Sequence, residues 1–402
     1  MTSLTQTPDA LYLAATESGQ LPFTGRQIVT LPSDASTSDV RAALKSLGPM
    51  AAVSDFDEGV PTFENLGDAA TLYFDNLGLA LLAPSGATLT VASSKSLVAS
   101  VDAIANIEPE TFVFPCEAFA EVRELAAQTE QSVTWGLTAT RVPQSGFSGR
   151  GIKVAVLDTG LDLGHPDFAA GQSITTSSHV PGEPVQDLNR HGTHCIGTAC
   201  GPRSPAGVPR YGIAYEAHIF AGKVLSNSGI GTVAGVLAGL NWAIANRCEV
   251  ISMSLSGAGG PYQFYQEAAR RALAAGCLII AAAGNDSRRP AYIAPTGAPA
   301  NSPDVVAVAA LDRSLDVAYF SSGGKIEIAA PGVDILSSLP RPRLHGSLSG
   351  TSMATPHVAG IAALLAESNP ALRGAALRDA LLQRALPLSQ PESDVGRGLV
   401  QA

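Results

Sequence analysis

Apolar and polar positions along the chain follow two regimes. From Arg26 to Pro115 the apolar runs are short and separated by mixed segments. Gln27 to Leu31 predicts a strand. Ser38 to Leu47 predicts a helix, with Ser38 as N-cap before Asp39. Met50 to Phe56 predicts a second strand, and Thr71 to Ala83 a strand or a hairpin bent at Asn76-Leu77-Gly78. Ser94 to Ala105 reads as a second helix and Glu108 to Phe114 as a closing strand. The order β-α-β-β-α-β is that of a small ferredoxin-like α+β unit, over residues 26–115. Residues 1–25 are polar without periodicity and read as a mobile tail. Residues 116–130 read as a linker.

Beyond this point continuous apolar runs alternate with helical periodicity. The runs are Ile152 to Leu157, His218 to Leu225, Glu249 to Leu255, Leu278 to Ala283 and Val305 to Leu311. Unbroken apolar runs suit strands buried on both faces of a parallel sheet. Val233 to Asn246, Phe264 to Ala275 and Met353 to Glu367 carry helical patterns between and after them. Residues 131–402 therefore predict a doubly wound α/β domain, whose ligand site lies beyond the carboxyl ends of the strands.

Composition narrows the function classes. With 46% hydrophobic and 15% charged residues, the 402-residue chain has the makings of a large core. A net charge of -10 provides no basic surplus for phosphates, which argues against a nucleic-acid partner. No apolar stretch is long enough to span a membrane. The first residues show neither a basic n-region nor an apolar h-region. The five cysteines are odd in number and irregularly spaced, so no disulfide framework is expected. The missing signal and the cysteine pattern lean toward a cytoplasmic rather than a secreted setting, and a monomer is expected.

Four segments carry candidate chemistry. Val154 to Gly160 places Asp158 where a buried strand ends. Asn189 to Cys195 places His191 at the start of a small-residue helix. Ile280 to Asp286 ends another strand on Asn285. Ser349 to Gly360 places Ser352 just before an apolar helix. Each feature alone is more often a turn former, a cap or a structural histidine. Together they make a chemical unit. An imidazole can take a proton from a serine hydroxyl near neutral pH. A carboxylate can hold the ring in one tautomer, and the Ser352 N–H with the Asn285 amide can stabilise an oxyanion. Zinc is not expected at His191 and His194, because no Glu completes an H-E-x-x-H pattern.

Asp158-Thr-Gly160, His191-Gly-Thr-His194 and Gly350-Thr-Ser352-Met-Ala-Thr-Pro-His-Val-Ala-Gly360 resemble the three signatures of the subtilase (S8) family of serine peptidases. The wording around His191 and Ser352 is similar to its proteinase K branch. The resemblance covers roughly residues 130–402. It implies a subtilisin-like, mainly parallel sheet flanked by helices, and endopeptidase activity through an Asp158–His191–Ser352 triad and an acyl-enzyme. It implies Asn285 as the oxyanion amide. It implies Ser254, Leu255 and Ser256 as one edge of the substrate cleft, Gly229 and Gly231 as the other, and Ala282, Ala283 and Gly284 as a wall of the S1 pocket, suiting an apolar or aromatic P1 residue. It also implies that residues 26–115 are a pro-region. Such a segment acts as an intramolecular inhibitor and is removed by a cut between Glu117 and Ser148, near Ala127 to Ser132.

No cofactor is required for this chemistry. Asp167 stands where relatives place a calcium ligand, but the loop from Cys200 to Gly212 holds no Asp, Asn or Glu. Cys195, one turn beyond His191, reads as a small buried hydrophobe that would confer mercurial sensitivity. Two other functions remain open: a maturation peptidase or transpeptidase serving one partner, and a catalytically silent binding module. The order of the residues and the absence of Gly-x-Ser-x-Gly argue against an α/β-hydrolase esterase.

Overall fold

The structure is a computed structural model that describes residues 4–33, 36–46, 49–56, 70–83, 104–118, 132–169 and 171–402. The chain opens with helix α1 (Pro8–Glu17) rather than a tail. The Thr7 hydroxyl accepts the Ala10 N–H at 3.2 Å, and Pro8 occupies the first turn, where its missing N–H costs nothing. Leu11 and Ala15, one turn apart, are buried with Phe112. That stripe is too short to register as periodicity.

Next come β1 (Phe23–Thr30), α2 (Thr37–Ser46), β2 (Met50–Ala52), β3 (Thr71–Phe74), β4 (Leu79–Leu82) and β5 (Asn106–Pro115). The Asp39 N–H is capped by Ser36, at 3.2 Å, instead of Ser38. Their order is β5-β1-β4-β3-β2. The segment expected as one strand or a hairpin is the β3–β4 hairpin, and it supplies two ferredoxin-like strands. Met50–Ala52 is an added parallel edge beside β3. The helix expected over Ser94 to Ala105 lies mostly outside the described residues.

The larger domain contains α3 (Trp135–Ala139), β6 (Lys153–Asp158), α4 (Pro166–Ala169), β7 (Ile174–Ser178), α5 (His191–Cys200), β8 (His218–Lys223), β9 (Gly231–Thr232) and α6 (Val233–Ala245). It continues with β10 (Val250–Met253), β11 (Leu255–Gly257), α7 (Gln263–Ala274), β12 (Leu278–Ala282), β13 (Val306–Leu311) and β14 (Ile328–Pro331). A hairpin, β15 (Ile335–Ser338) and β16 (His345–Leu348), leads into α8 (Thr351–Ser368). A seven-stranded parallel sheet runs β14-β13-β12-β10-β6-β8-β7. Its inner strands are buried almost throughout, as the apolar runs require, while the edge strand β7 stays largely half-buried or exposed. Helix α8 is buried from Thr351 to Ala366, so it is enclosed on every face, with an apolar second half from Val358 onward. No described helix is long and apolar enough to cross a membrane.

The N-terminal unit is seated on this domain by β5, which lies antiparallel between β11 and β9. Two carboxylates reinforce the seat at helix N-termini, where free N–H groups favour anions. Glu110 accepts the Ala234 N–H of α6 at 2.8 Å. Glu108 accepts the Gln263 and Phe264 N–H groups of α7 at 3.1 and 3.2 Å. Glu110 is fully buried and paired to buried Arg26 at 2.6 Å. It also accepts the Thr24 hydroxyl at 2.6 Å.

Candidate active site

Asp158, His191 and Ser352 converge at the carboxyl ends of the central strands, and all three are fully buried. Asp158 ends β6. Its Oδ1 accepts both the Thr159 N–H and His191 Nδ1–H at 2.7 Å. Close approach of α5 to the turn after Asp158 depends on Gly192. A Cβ there would collide with the Gly160 carbonyl. The second nitrogen of His191, Nε2, is buried without a partner. Burial, the largest single effect, would lower the pKa of this imidazole. The adjacent Asp158 carboxylate outweighs it, so the net shift is well upward.

Ser352 sits in the first turn of α8. Its hydroxyl donates to the Ser254 carbonyl at 2.9 Å rather than to His191 Nε2. The serine and the imidazole flank one thiol: Cys195 Sγ lies 3.5 Å from the Ser352 carbonyl and 3.9 Å from His191 Nδ1. Burial raises the Cys195 pKa, so the thiol stays protonated. His194 lies on the same helix but donates to the Ile335 carbonyl at 2.9 Å, and burial lowers its pKa to about 3. It is not a competing base.

The cleft is filled by the chain itself. Phe114 and Pro115 pair with Ser256 and Leu255, and Val113 faces both Gly257 and Gly231. The Cys116 N–H donates to the Ser254 carbonyl at 3.1 Å. The Cys116 carbonyl receives the Ser352 N–H at 3.2 Å and the Asn285 amide Nδ2–H at 2.5 Å. Beyond it the Ala118 N–H donates to the Ser349 carbonyl at 3.0 Å. Asn285 is held in that orientation because its Oδ1 accepts the Thr351 N–H at 3.0 Å and hydroxyl at 2.9 Å. The bond presented to Ser352 is thus Cys116–Glu117. This bond adjoins the start of the span from Glu117 to Ser148 in which a cut was expected. Residues 119–131, which include most of Ala127 to Ser132, lie outside the described residues.

Other expected cleft residues divide into two groups. Ser254, Leu255, Ser256 and Gly231 contact the inserted strand as above, and Gly229 lies beside Pro115. Gly284 lines a cleft of about 920 Å³ together with Cys116, Ser256 and Thr296. Ala282 and Ala283 do not line it. Both are fully buried beside β13, where Ala282 pairs with Val308 and the Ala283 N–H donates to the Val308 carbonyl at 3.1 Å.

Two contributors escaped sequence reasoning. Buried Asp187 accepts the Asn189, Arg190 and Thr193 N–H groups at 2.9–3.0 Å, and the Thr159 and Thr193 hydroxyls at 3.0 and 2.6 Å. It thereby fixes the turn that delivers His191 next to the turn after Asp158. Its signal was its place four residues before the histidine. Buried Lys223 donates to the Thr159 carbonyl at 2.7 Å and pairs with Glu183 at 3.2 Å.

Calcium does not fit at Asp167. That carboxylate is occupied by hydrogen donors, the Tyr211 hydroxyl and His345 Nε2, rather than surrounded by the oxygens the ion needs. Nearby His165 is also satisfied, accepting the Asp167 N–H and donating to the Leu344 carbonyl.

Comparison with known proteins places these features in context. The Subtilase family model matches residues 149–398. Subtilisin E of Bacillus subtilis (strain 168) is 38% identical over 292 residues, covering 71% of this chain and 74% of that protein. M-protease of Shouchella clausii (strain KSM-K16) is 38% identical over 320 residues, covering 78% and 79%. Subtilisin of Bacillus pumilus is 38% identical over 276 residues, covering 67% of this chain and 97% of that protein.

Proposed function

The chain belongs to the subtilase family and is a subtilisin-like serine endopeptidase, and we propose that it works through Asp158, His191 and Ser352, with its own Cys116–Glu117 bond as first substrate. The observation that carries this reading is the Cys116 carbonyl, held by two donors beside the Ser352 hydroxyl. In the reaction the hydroxyl turns from the Ser254 carbonyl toward His191 Nε2 and gives up its proton as Oγ attacks the Cys116 carbonyl carbon. The oxygen becomes an oxyanion on the Ser352 N–H and Asn285 Nδ2–H. Those donors are already aimed and need no reorganisation. Asp158 holds Nδ1–H, so the lone pair faces the serine, and it stabilises the imidazolium that forms. The C–N bond then breaks and His191 returns the proton to the leaving Glu117 amine. Water repeats the cycle on the acyl-enzyme.

In this reading residues 1–116 are a pro-region that blocks the cleft as an inserted strand, a backbone-paired mode of recognition. Polypeptide substrates take its place once it leaves. Catalysis needs no metal ligand from this chain, and the set around Asp167 argues against a calcium dependence at that position. A fluorophosphonate probe should label the opened enzyme at Ser352 and leave Ser352→Ala unlabelled. Sequencing should find a new N-terminus at Glu117. Persistence of an intact chain beside full labelling would reject the self-cleavage, and labelling of Ser352→Ala would reject the nucleophile.

A further inference from the structure

The residue following the presented bond is held by a charge. Arg190 Nη2 donates to Glu117 Oε1 at 2.9 Å, with the glutamate side chain 16% exposed and the arginine 36%. Arg190 immediately precedes His191 and takes a left-handed φ of 113°. Such a conformation is costly for a residue with a Cβ and persists only where its surroundings impose it. Here the Asp187 carboxylate imposes it by accepting the Arg190 N–H at 3.0 Å. The side chain is thereby rooted at the cleft edge. Arg190 Nε–H, on the same edge of the guanidinium as Nη2, is buried with no partner. A guanidinium fork donates from such a position to a second carboxylate oxygen.

We propose that Arg190 makes this peptidase prefer an acidic residue immediately after the cleaved bond. Resting on the reading of Cys116–Glu117 as a substrate-like bond, this extends from the chain's own segment to peptides in general. The contact is partly exposed, so the selection is moderate and weakens as salt rises. An amide at that position keeps the length but loses the charge. An ammonium meets the guanidinium with like charge.

Three internally quenched peptides, Phe-Val-Phe-Pro-Cys-Glu-Ala and its forms with Gln or Lys in place of Glu, test this under reducing conditions. The self-processed chain is used, with open sites counted by fluorophosphonate titration. The expected kcat/KM is about tenfold higher for Glu than for Gln, and lower again for Lys. Arg190→Gln should bring the Glu-to-Gln ratio to within about twofold, and Arg190→Glu should invert the order so that Lys leads. Ratios between peptides cancel any loss of folded enzyme. A parent ratio near one, or an unchanged ratio in Arg190→Gln, overturns the proposal. Mass analysis separates this failure from that of its premise. Cuts at another bond refute the assigned register, and absence of both cutting and labelling refutes the role of Ser352. Either result removes the basis for Arg190 as well.

Discussion

Replacing Glu110 with alanine should loosen the N-terminal unit from the peptidase domain more than any surface change. The Glu110 carboxylate is fully buried and accepts from Thr24, from Arg26 Nε at 2.6 Å and Nη2 at 3.0 Å, and from the Ala234 N–H. Its removal strands Arg26, itself only 2% exposed. Breaking a buried pair by deleting one partner costs about 3–5 kcal/mol, chiefly through the uncompensated charge left behind. At about 1.4 kcal/mol per tenfold, the loss in affinity is between about 100- and 4,000-fold. The assay is inhibition of opened, site-titrated enzyme by the segment 1–116, parent against Glu110→Ala. A further variant, Arg26→Leu with Glu110→Leu, should recover at least about tenfold, since no unpaired guanidinium remains. An inhibition constant for Glu110→Ala within threefold of the parent would refute the reasoning.

Asn285→Leu should lower kcat by about 10²–10³ with little change in KM, a magnitude that comes from a subtilisin's own amide donor; steady-state kinetics showing less than a fivefold loss would remove it from the oxyanion role. The raised pKa of His191 means that its neutral, proton-accepting form accumulates only above that value. The pH profile of kcat/KM should therefore rise through an inflection above the ordinary histidine value of about 6.5, and Asp158→Asn should lower both the inflection and the rate, the latter by about 10⁴. By linkage the same pair adds stability below pH of about 6.5 that fades as pH climbs through the folded value, so urea midpoints of Ser352→Ala should lose that increment on the alkaline side while those of Ser352→Ala with Asp158→Asn do not. An organomercurial should inhibit the parent through Cys195, whose sulfur touches both His191 and the Ser352 backbone; equal inhibition of Cys195→Ala would discard that route.

The buried strands and the residues ending them were legible because burial on both faces leaves an unmistakable apolar run, and because the segments around Asp158, His191 and Ser352 are each contiguous. Contacts between distant segments were not. Arg190 and Glu117 stand far apart in sequence, and only the register of β5 brings them together. Helix α1 was missed because two apolar positions, Leu11 and Ala15, suffice when Phe112 already waits beneath them. The Ser352 hydroxyl's bond to the Ser254 carbonyl joins residues almost a hundred positions apart, which no local pattern encodes. The alanines after Ile280 read as a pocket wall, yet a run of small apolar residues is equally the mark of a strand buried on both faces, and the cleft that Gly284 borders is lined by residues from segments distant in sequence.

The slot that receives β5 is bordered by β9, two residues long, and β11, three residues long. Unpaired strand borders invite stacking between molecules, and brevity is one of the means by which proteins blunt that hazard. Once emptied, this slot offers too little ladder for one copy to recruit another into a growing fibre. It can still grip a flexible polypeptide, because the two rims act on opposite sides of the same short stretch. A concentrated solution of opened enzyme should therefore stay dispersed, its losses coming from mutual digestion and not from clumping.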